Sequence, residues 1–245
     1  MSKYQRLYTY KKIAPCHLEC TIDLSQLFQT DVERKRFNAK WNDFVRSDPD
    51  NRNIYSKKGN LLKYKSEQLI PSKKDNRIPL LLVFGNPATH SVQSGMFFSF
   101  EGDGREHRFW KNILKSADVL TFPNKTGINI DQLNQERRQN MIQLKYDSPF
   151  RIGLTVLFSM PSAPGGKWGG VAGIQKLIGA KAIERLETEE AKRILKSAKH
   201  FLSNNGILVV FQKNAWNALK LEPDPSYSID KARVGKLRGT FAYSA

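Results

Sequence analysis

Three apolar runs along the chain each end in polar or turn-forming residues, and these are the side chains best placed to do chemistry. The residues are Gly85-Asn86-Pro87, Ser159-Met160-Pro161 and Gln212. A continuous apolar run of strand length is typical of a buried parallel strand. Ligands of α/β proteins bind beyond the carboxyl ends of such strands. The sequence therefore predicts that these three loops form one binding site.

A further loop, residues 162–170, combines small residues with one cation and one indole. Its glycines would let the backbone approach a phosphate closely, Lys167 would supply positive charge, and Trp168 could stack on a base. The loop does not have the spacing of a nucleotide P-loop. Two interpretations remain open, contact with a nucleic-acid backbone or a flexible connection.

Metal binding is not expected from the cysteine pattern. Cys16 and Cys20 are the only cysteines and flank His17. A structural zinc site needs four ligands, and no second pair of Cys or His follows at a suitable interval. An iron–sulfur cluster fails the same count. We expect two reduced, partly buried thiols, no metal and no cofactor.

The overall charge favours a polyanionic partner. The 245 residues include 40 Lys and Arg against 23 Asp and Glu, and the resulting net charge of +17 is spread along the chain. Such a charge attracts nucleic acid, although a solubility surface or an anionic membrane surface is an alternative. No apolar stretch is long enough to span a membrane, and the N-terminus lacks the apolar region of a secretory signal. We expect a DNA-binding monomer in the cytoplasm, associated with the nucleoid, or in the nucleus, and not a secreted protein.

The elements that must position these loops alternate between strands and helices, which indicates an α/β fold. Strands are predicted over residues 79–84, 150–160, 207–211 and 240–244. Helices are predicted over residues 31–45, 105–116, 131–144, 171–186, 188–202 and 214–220, with Thr188 as a helix cap.

These elements predict a central, mostly parallel four-stranded sheet flanked by helices over residues 76–245. The segment 1–75 is polar and basic, and we expect an N-terminal extension packed on that core. Within it, residues 47–74 are rich in Asp, Asn, Ser and Lys, and predict an extended lead-in.

An ordered set of motifs begins at the first strand end. Asn86-Pro87 is followed nine residues later by Gly95, then by Phe98, and then by Phe109-Trp110-Lys111. This set resembles the uracil-DNA glycosylase superfamily, in particular the branch of mismatch-specific, thymine and single-strand-selective enzymes. Residues 206–219 are similar to the third strand of that family and the helix after it.

Three features depart from the family pattern. The usual Gly-x-Asn-Pro-Gly is replaced, because Gly85 directly precedes Asn86 and Ala88 follows Pro87. Many members read the base with an Asn at the tip of the second core strand, and the tip around Ser159 has none. The second family signature, a His-or-Asn-Pro-Ser segment, is either truncated or lost. These departures predict slow or narrow activity and leave the preference for uracil open.

The resemblance implies chemical roles for two side chains. Asn86 would orient the attacking water through its side-chain oxygen, and because an amide is not a strong base the reaction would rely on an oxocarbenium-like sugar. Phe98 would be a stacking platform for the flipped base. Backbone N–H groups of residues 86–88 would bind the carbonyl of the leaving base. The alternatives are that Asn86 merely starts a turn and that Phe98 is core packing.

Other residues would complete the site. The expected base-binding residues are Phe98, Gly85, Pro87, Ala88, His90 and Ser159, with His107 and Glu106 in the site wall. The expected DNA-backbone contacts are Arg105, Arg108, Lys111, Lys167 and Trp168. For His90 the alternative is a solvated loop residue, and for Glu106 it is capping or surface pairing.

The leading prediction is a monofunctional DNA glycosylase of base-excision repair. It would hydrolyse the N-glycosidic bond of a flipped uracil or another deaminated or damaged base. Two alternatives stay open: a member of the same family that binds DNA but cleaves weakly or not at all, and a basic α/β protein that binds RNA or nucleotides.

Overall fold

Two sheets form the framework of the protein. The computed structural model describes residues 6–115, 118–123, 127–202 and 205–239. The first sheet is antiparallel and consists of β1 (Tyr8–Ala14), β2 (His17–Asp23), β3 (Tyr55–Lys58) and β4 (Leu61–Glu67), in the order β1-β2-β4-β3. The second is parallel and consists of β5 (Ile78–Phe84), β6 (Phe150–Val156) and β7 (Ile207–Val210), in the order β6-β5-β7.

Helices lie between several of the strands and after β7. They are α1 (Leu24–Leu27), α2 (Asp31–Arg46), α3 (Asn51–Ile54), α4 (Thr89–Ser94), a π-helical segment (Phe109–Leu114), α5 (Ile130–Gln143), α6 (Gly170–Ile178), α7 (Ala180–Leu202), α8 (Lys213–Leu219) and α9 (Ile229–Arg233). Local sequence sets two of the starts. The Thr30 hydroxyl accepts from the Glu33 N–H at the start of α2, and Asn129 and Gln132 form a reciprocal capping box on α5.

Strand β5 separates two hydrophobic clusters. Leu81 and Val83 pack into a cluster shared with the antiparallel sheet, α2, α6 and α7. Leu80, Leu82 and Phe84 pack on the other face, with the π-helical segment and α5. Successive side chains of a strand point to opposite faces, so a strand that is covered on both faces needs an unbroken apolar run.

The α/β class is confirmed as a parallel sheet flanked by helices, with three strands within the described residues. The predicted fourth strand, residues 240–244, lies outside them. The helices predicted over residues 31–45 and 131–144 correspond to α2 and α5. These two were predictable because each combines a cap residue with a helical period of apolar residues.

The extended lead-in predicted over residues 47–74 is wrong. This segment contains α3 and the β3–β4 hairpin, which turns at Gly59 with a φ of +56°. In β4, Leu62 and Tyr64 are buried and alternate with lysines, so the apolar face is only two side chains wide. Both belong to the same cluster as Leu81 of β5, which places the antiparallel sheet within the main core.

Two predicted helix boundaries are also corrected. The break between two helices was predicted near residue 187. It lies instead at Gly179, whose φ of +92° ends α6, and α7 then runs without a break from Ala180 to Leu202. Thr188 is therefore inside α7, where its hydroxyl donates to the Glu184 carbonyl at 3.2 Å, and it is not a cap. The helix predicted over residues 105–116 is π-helical and begins at Phe109.

A buried ion pair on α7 holds the tip of β6. Glu190 and Arg193 are both fully buried, with 2.8 Å between Arg193 Nε and Glu190 Oε2. Glu190 Oε1 accepts from the Ser159 N–H at 2.7 Å and also from the Ser159 hydroxyl. Arg193 donates to the carbonyls of Val156 and Leu157. The pair therefore fixes the backbone from which the next loop leaves the sheet.

Arg193→Met should lower the free energy of unfolding by about 3–5 kcal/mol, because it leaves the Glu190 carboxylate buried without its cation. Lys192→Met is the matched control, since exposed Lys192 pairs with Glu189 at the surface, a contact worth about 0–1 kcal/mol. Urea denaturation measures both variants. An equal loss of stability in the two would contradict the assigned role of the pair.

Candidate functional site

The loops after β5 and β6 enclose a cavity of about 270 Å³. It lies at the carboxyl ends of parallel strands, the position that the sequence predicted. Predicted residues that line it are Asn86, Pro87, Ala88, His90, Phe98, His107 and Gln212. Glu67 and Ser162 are also in its wall. A cavity of this size, just below the usual range for small-molecule sites, suits one compact ligand.

Backbone hydrogen bonds join the two loops beyond the ends of their strands. The Phe158 N–H donates to the Gly85 carbonyl at 2.8 Å, and the Ser162 N–H donates to the Pro87 carbonyl at 3.1 Å. The Thr89 N–H then donates back to the Ser162 carbonyl at 3.1 Å. The β5–β6 pairing thus continues into the loops, which makes the cavity wall part of the sheet framework.

Asn86 is held by its amide nitrogen. Nδ2 donates to the Ser162 hydroxyl at 2.9 Å and to the Met160 carbonyl at 3.2 Å. Within the described ranges no donor contacts Oδ1, and the residue is half-buried in the cavity wall. The amide oxygen is therefore left to accept a hydrogen bond from a water or a ligand in the cavity.

Phe98 belongs to an aromatic wall on the cavity. Its ring centroid lies 4.2 Å from that of Phe109 and 4.9 Å from those of Phe84 and His107. Its φ of +50° is a left-handed conformation that costs a non-glycine residue about 1–2 kcal/mol. The Trp110 indole N–H donates to the Phe98 carbonyl at 3.1 Å and offsets part of that cost. Phe98 remains half-exposed and so offers ring surface to a ligand.

The lack of a side chain at Gly85, directly before Asn86, leaves room for the end of the Gln212 side chain. A Cβ added at Gly85 would lie 2.2 Å from the Gln212 Oε1 atom, closer than any real contact. Gly85 itself is buried, and Gln212 from the third loop lines the cavity in its place. The sequence departure at this position thus admits an amide side chain from the neighbouring strand end.

Glu67, the last residue of β4, is a titratable cavity residue that the sequence reasoning missed. It is 2% exposed, and its Oε2 atom has no hydrogen-bond partner in the described part of the chain. Burial alone raises the pKa of this carboxyl well above its ordinary value of 4.5. The alternation of Leu62, Tyr64 and Ser66 puts Glu67 on the opposite, open face, so no sequence pattern predicted its burial.

A main-chain contact explains how Glu67 reaches the cavity. Two residues farther along, the Leu69 N–H donates to the Leu154 carbonyl at 2.9 Å, and the Leu154 N–H donates back at 2.7 Å. This antiparallel bridge joins the end of β4 to β6. It brings Glu67 beside Val156, which also lines the cavity.

Two histidines complete the wall. The His90 ring stacks on Phe100 with 4.6 Å between centroids, and His107 lies against Phe98. Burial lowers the pKa of both imidazoles and outweighs the opposing effect of nearby carboxylates. Both rings are therefore neutral near pH 7, and each offers one donor and one acceptor.

Ser159, Trp168 and Lys167, which were all predicted to contact the ligand, lie away from the cavity. Ser159 is fully buried, where its hydroxyl contacts Glu190 and the Tyr8 and Tyr64 hydroxyls. Trp168 is 4% exposed and packs edge-on against an aromatic ring of α2, so it cannot stack on a base. Lys167 pairs with Asp43 at 2.7 Å, which leaves its cation partly neutralised. The loop 162–170 instead contributes Ser162 and small residues to the cavity.

The predicted DNA-contacting cations before the π-helical segment line a separate depression. Arg105, Arg108 and Lys111 share it with Glu106, which was predicted in the wall of the cavity and instead pairs with Arg137. Arg105 pairs with Asp103, and Arg108 Nε lies 3.5 Å from Glu101 Oε1. These cations form one surface, but two of them are already paired within the protein.

The two cysteines are reduced, as predicted, but they are more deeply buried than the sequence suggested. Cys16 and Cys20 are free and both fully buried, more so than predicted, and burial raises the pKa of their thiols to about 12 and about 11. Neither thiol is therefore a nucleophile at neutral pH. Among the described residues, no group of His, Cys, Asp and Glu could hold a metal ion. No helix in the described ranges has the length and apolarity to cross a membrane.

Comparison with known proteins does not extend this description. No protein-family model, curated protein or solved structure matches the chain.

Glu67→Gln should gain stability relative to the wild type as the pH rises above about 4.5. Above that pH the unfolded chain loses its Glu67 proton, whereas the folded protein keeps it because the folded pKa is raised. The unfolded state then binds fewer protons than the folded state, so wild-type stability falls with rising pH until the raised pKa is passed. Glutamine does not titrate and avoids this loss.

Urea denaturation of both proteins at several pH values measures the difference. Glu184→Gln, an exposed change on α7, is the control and should show no such trend. A difference between Glu67→Gln and wild type that does not grow with pH would mean that Glu67 is ionised in the folded protein.

Proposed function

We propose that the chain is a DNA glycosylase of base-excision repair, which hydrolyses the N-glycosidic bond of a flipped uracil or another deaminated or damaged base. The observation that carries the proposal is the Asn86 amide, held by its nitrogen with its oxygen free, in the same cavity as the half-exposed Phe98 ring. The resemblance of this loop to the uracil-DNA glycosylase superfamily gives the arrangement its chemical interpretation.

The proposed reaction relies on placing a water molecule. Asn86 Oδ1 accepts a hydrogen bond from the water and directs its oxygen toward C1′ of the sugar. An amide does not remove a proton, so the sugar must become oxocarbenium-like before water attacks. Correct placement then supplies most of the rate, because a misplacement of about 1 Å costs about 100-fold. The hydrogen bonds from Nδ2 to Met160 and Ser162 restrict the amide, and so fix the position of its oxygen.

The aromatic wall supports the binding of an extruded base. Flipping a nucleotide costs a few kcal/mol, and stacking on an aromatic ring returns about 1–3 kcal/mol per base. Phe98 supplies that ring, with Phe84 and Phe109 packed behind it. Neutral His90 and Gln212 offer hydrogen-bond donors and acceptors to the base edge.

The partner proposed is DNA, on the basis of charge. A net charge of +17 over 245 residues makes the protein strongly attractive to a phosphate backbone. The exposed cations around the second depression lie on the chain segment that follows the cavity loop. Phosphate contacts position a duplex without reading its sequence, which suits an enzyme that recognises one altered base.

Asn86→Ala should lower the single-turnover rate of base release by about 100-fold or more, since it removes the oxygen that places the water. The assay uses duplex and single-stranded oligonucleotides with uracil, hypoxanthine, xanthine or a mismatched thymine, with alkaline cleavage at abasic sites. Asn217→Ala, exposed on α8, is the matched control and should leave the rate unchanged. Binding without release by the wild type would favour the non-cleaving alternative.

DNA affinity should fall steeply with salt. For about six to ten phosphate contacts, the association constant should fall by about 10³ or more between about 50 and 200 mM salt. Fluorescence anisotropy with labelled DNA and RNA of the same sequence measures this. Equal affinity for RNA, or no affinity for either polymer, would contradict the proposal. It would favour the alternative of a basic α/β protein that binds RNA or nucleotides.

A further inference from the structure

The cavity contains a carboxyl group, that of Glu67, which has no part in the proposed placement of water by Asn86. Glu67 reaches the cavity from the antiparallel sheet, whereas Asn86 reaches it from the parallel sheet. Glu67 is nearly inaccessible to solvent, and its Oε2 atom is unpartnered within the described residues. We propose that Glu67 is the general acid of the site, which donates its proton to the base as the glycosidic bond breaks. This inference rests on the glycosylase function proposed above.

Among the described residues, no cation forms an ion pair with Glu67, as a buried carboxylate would need. His17 is its cross-strand neighbour on β2, and its Nε2 is engaged with the Val92 carbonyl at 2.9 Å. Cys16 lies beside it with a thiol whose pKa is raised to about 12, and so carries no charge. Arg138 of α5, which acts on Cys16, is engaged with the Ser94 and Gly95 carbonyls.

Across the cavity, the facing titratable groups are His90 and His107, and burial lowers the pKa of both. The carboxyl is therefore buried among uncharged or engaged groups. An unpaired charge in such a place is strongly unfavourable, and the group keeps its proton instead. In the proposed step, Glu67 holds this proton until the glycosidic bond breaks.

The proposed step balances as follows. The bond between C1′ and the base nitrogen breaks, and its electron pair stays with the base. The Glu67 proton moves to the base, on a ring nitrogen or a carbonyl oxygen, and Glu67 becomes a carboxylate. Water placed by Asn86 bonds to C1′ and loses a proton, which returns the carboxylate to its acid form. The net reaction is hydrolysis, with Glu67 regenerated.

Proton donation fills a need that the other cavity residues do not meet. The Asn86 amide has no proton to give at any ordinary pH, and its N–H groups are already engaged with Met160 and Ser162. His90 and His107 are neutral rings and weak acids in that form. Glu67 is the carboxylic acid in the cavity wall within the described residues. A positioned general acid contributes about 10²–10⁴-fold to a rate.

The test compares wild type, Glu67→Gln and the surface control Glu184→Gln in single-turnover base release from duplexes with uracil, 5-fluorouracil or hypoxanthine. Glutamine keeps the shape and a hydrogen-bond donor but cannot transfer a proton. The rate of Glu67→Gln on uracil should fall about 100-fold or more, and the loss should be smaller for 5-fluorouracil, whose electron-poor ring leaves more readily without a proton. Glu184→Gln should match wild type on every substrate.

The pH profile gives a second readout that a structural role would not change. Wild-type release should decline as the pH rises through the raised pKa of Glu67, and Glu67→Gln should lose this decline. A wild-type rate that instead rises with pH, or a Glu67→Gln protein with an unchanged rate and profile, would overturn the general-acid role and leave the glycosylase function standing. A wild type that releases no base from any substrate would overturn both.

Discussion

Two hydrogen bonds from the Asn86 amide nitrogen link the loops at the ends of the two neighbouring strands β5 and β6. Nδ2 reaches both the Met160 carbonyl and the Ser162 hydroxyl, so the position of the amide depends on where the second loop stands. That loop is fixed in turn by the buried Glu190–Arg193 pair, which holds the backbone at the tip of β6. The orientation of one side chain in the cavity therefore depends on a charge pair inside α7.

The electrostatics of the cavity contrast with those of the whole molecule. The protein carries a net charge of +17, yet burial raises the pKa of a carboxyl in the cavity wall and lowers the pKa of two imidazoles there, which disfavours the charged form of all three groups. Burial gives the common cause, since each of these groups loses more from desolvation than it gains from its neighbours. A long-range positive field and an uncharged cavity serve different steps in our proposal, attraction of the polymer and cleavage of the bond.

Much of the parallel sheet was predictable, because β5 is an unbroken apolar run, β6 is largely apolar, and both strands are followed by turn residues. The same reasoning located Asn86, Pro87, Ala88, His90 and Phe98 in one cavity. It failed where tertiary contacts override local pattern. Residues 47–74 contain α3 and a hairpin in which β4 has only two buried apolar side chains, Leu62 and Tyr64, and a polar segment of this kind carries almost no hydrophobic period.

The missed and misplaced site residues have the same explanation. Glu67 is buried because the chain beyond β4 bridges to β6, a contact between residues far apart in sequence. Ser159 points into the core because its hydroxyl donates a hydrogen bond to the buried Glu190 carboxylate. Trp168 fills a place beside α2 rather than the cavity. In each case the residue type was compatible with a site, and a distant partner decided which way the side chain points.

The most direct test of the central claim is the crystal structure of the protein bound to a duplex that carries 2′-fluoroarabino-uridine or its hypoxanthine counterpart, in which the glycosidic bond resists cleavage. Our account predicts the altered base in the cavity, stacked on Phe98, with its sugar C1′ facing a water on Asn86 Oδ1. A base still stacked in the duplex, or a complex in which the cavity stays empty while DNA lies elsewhere, would contradict it.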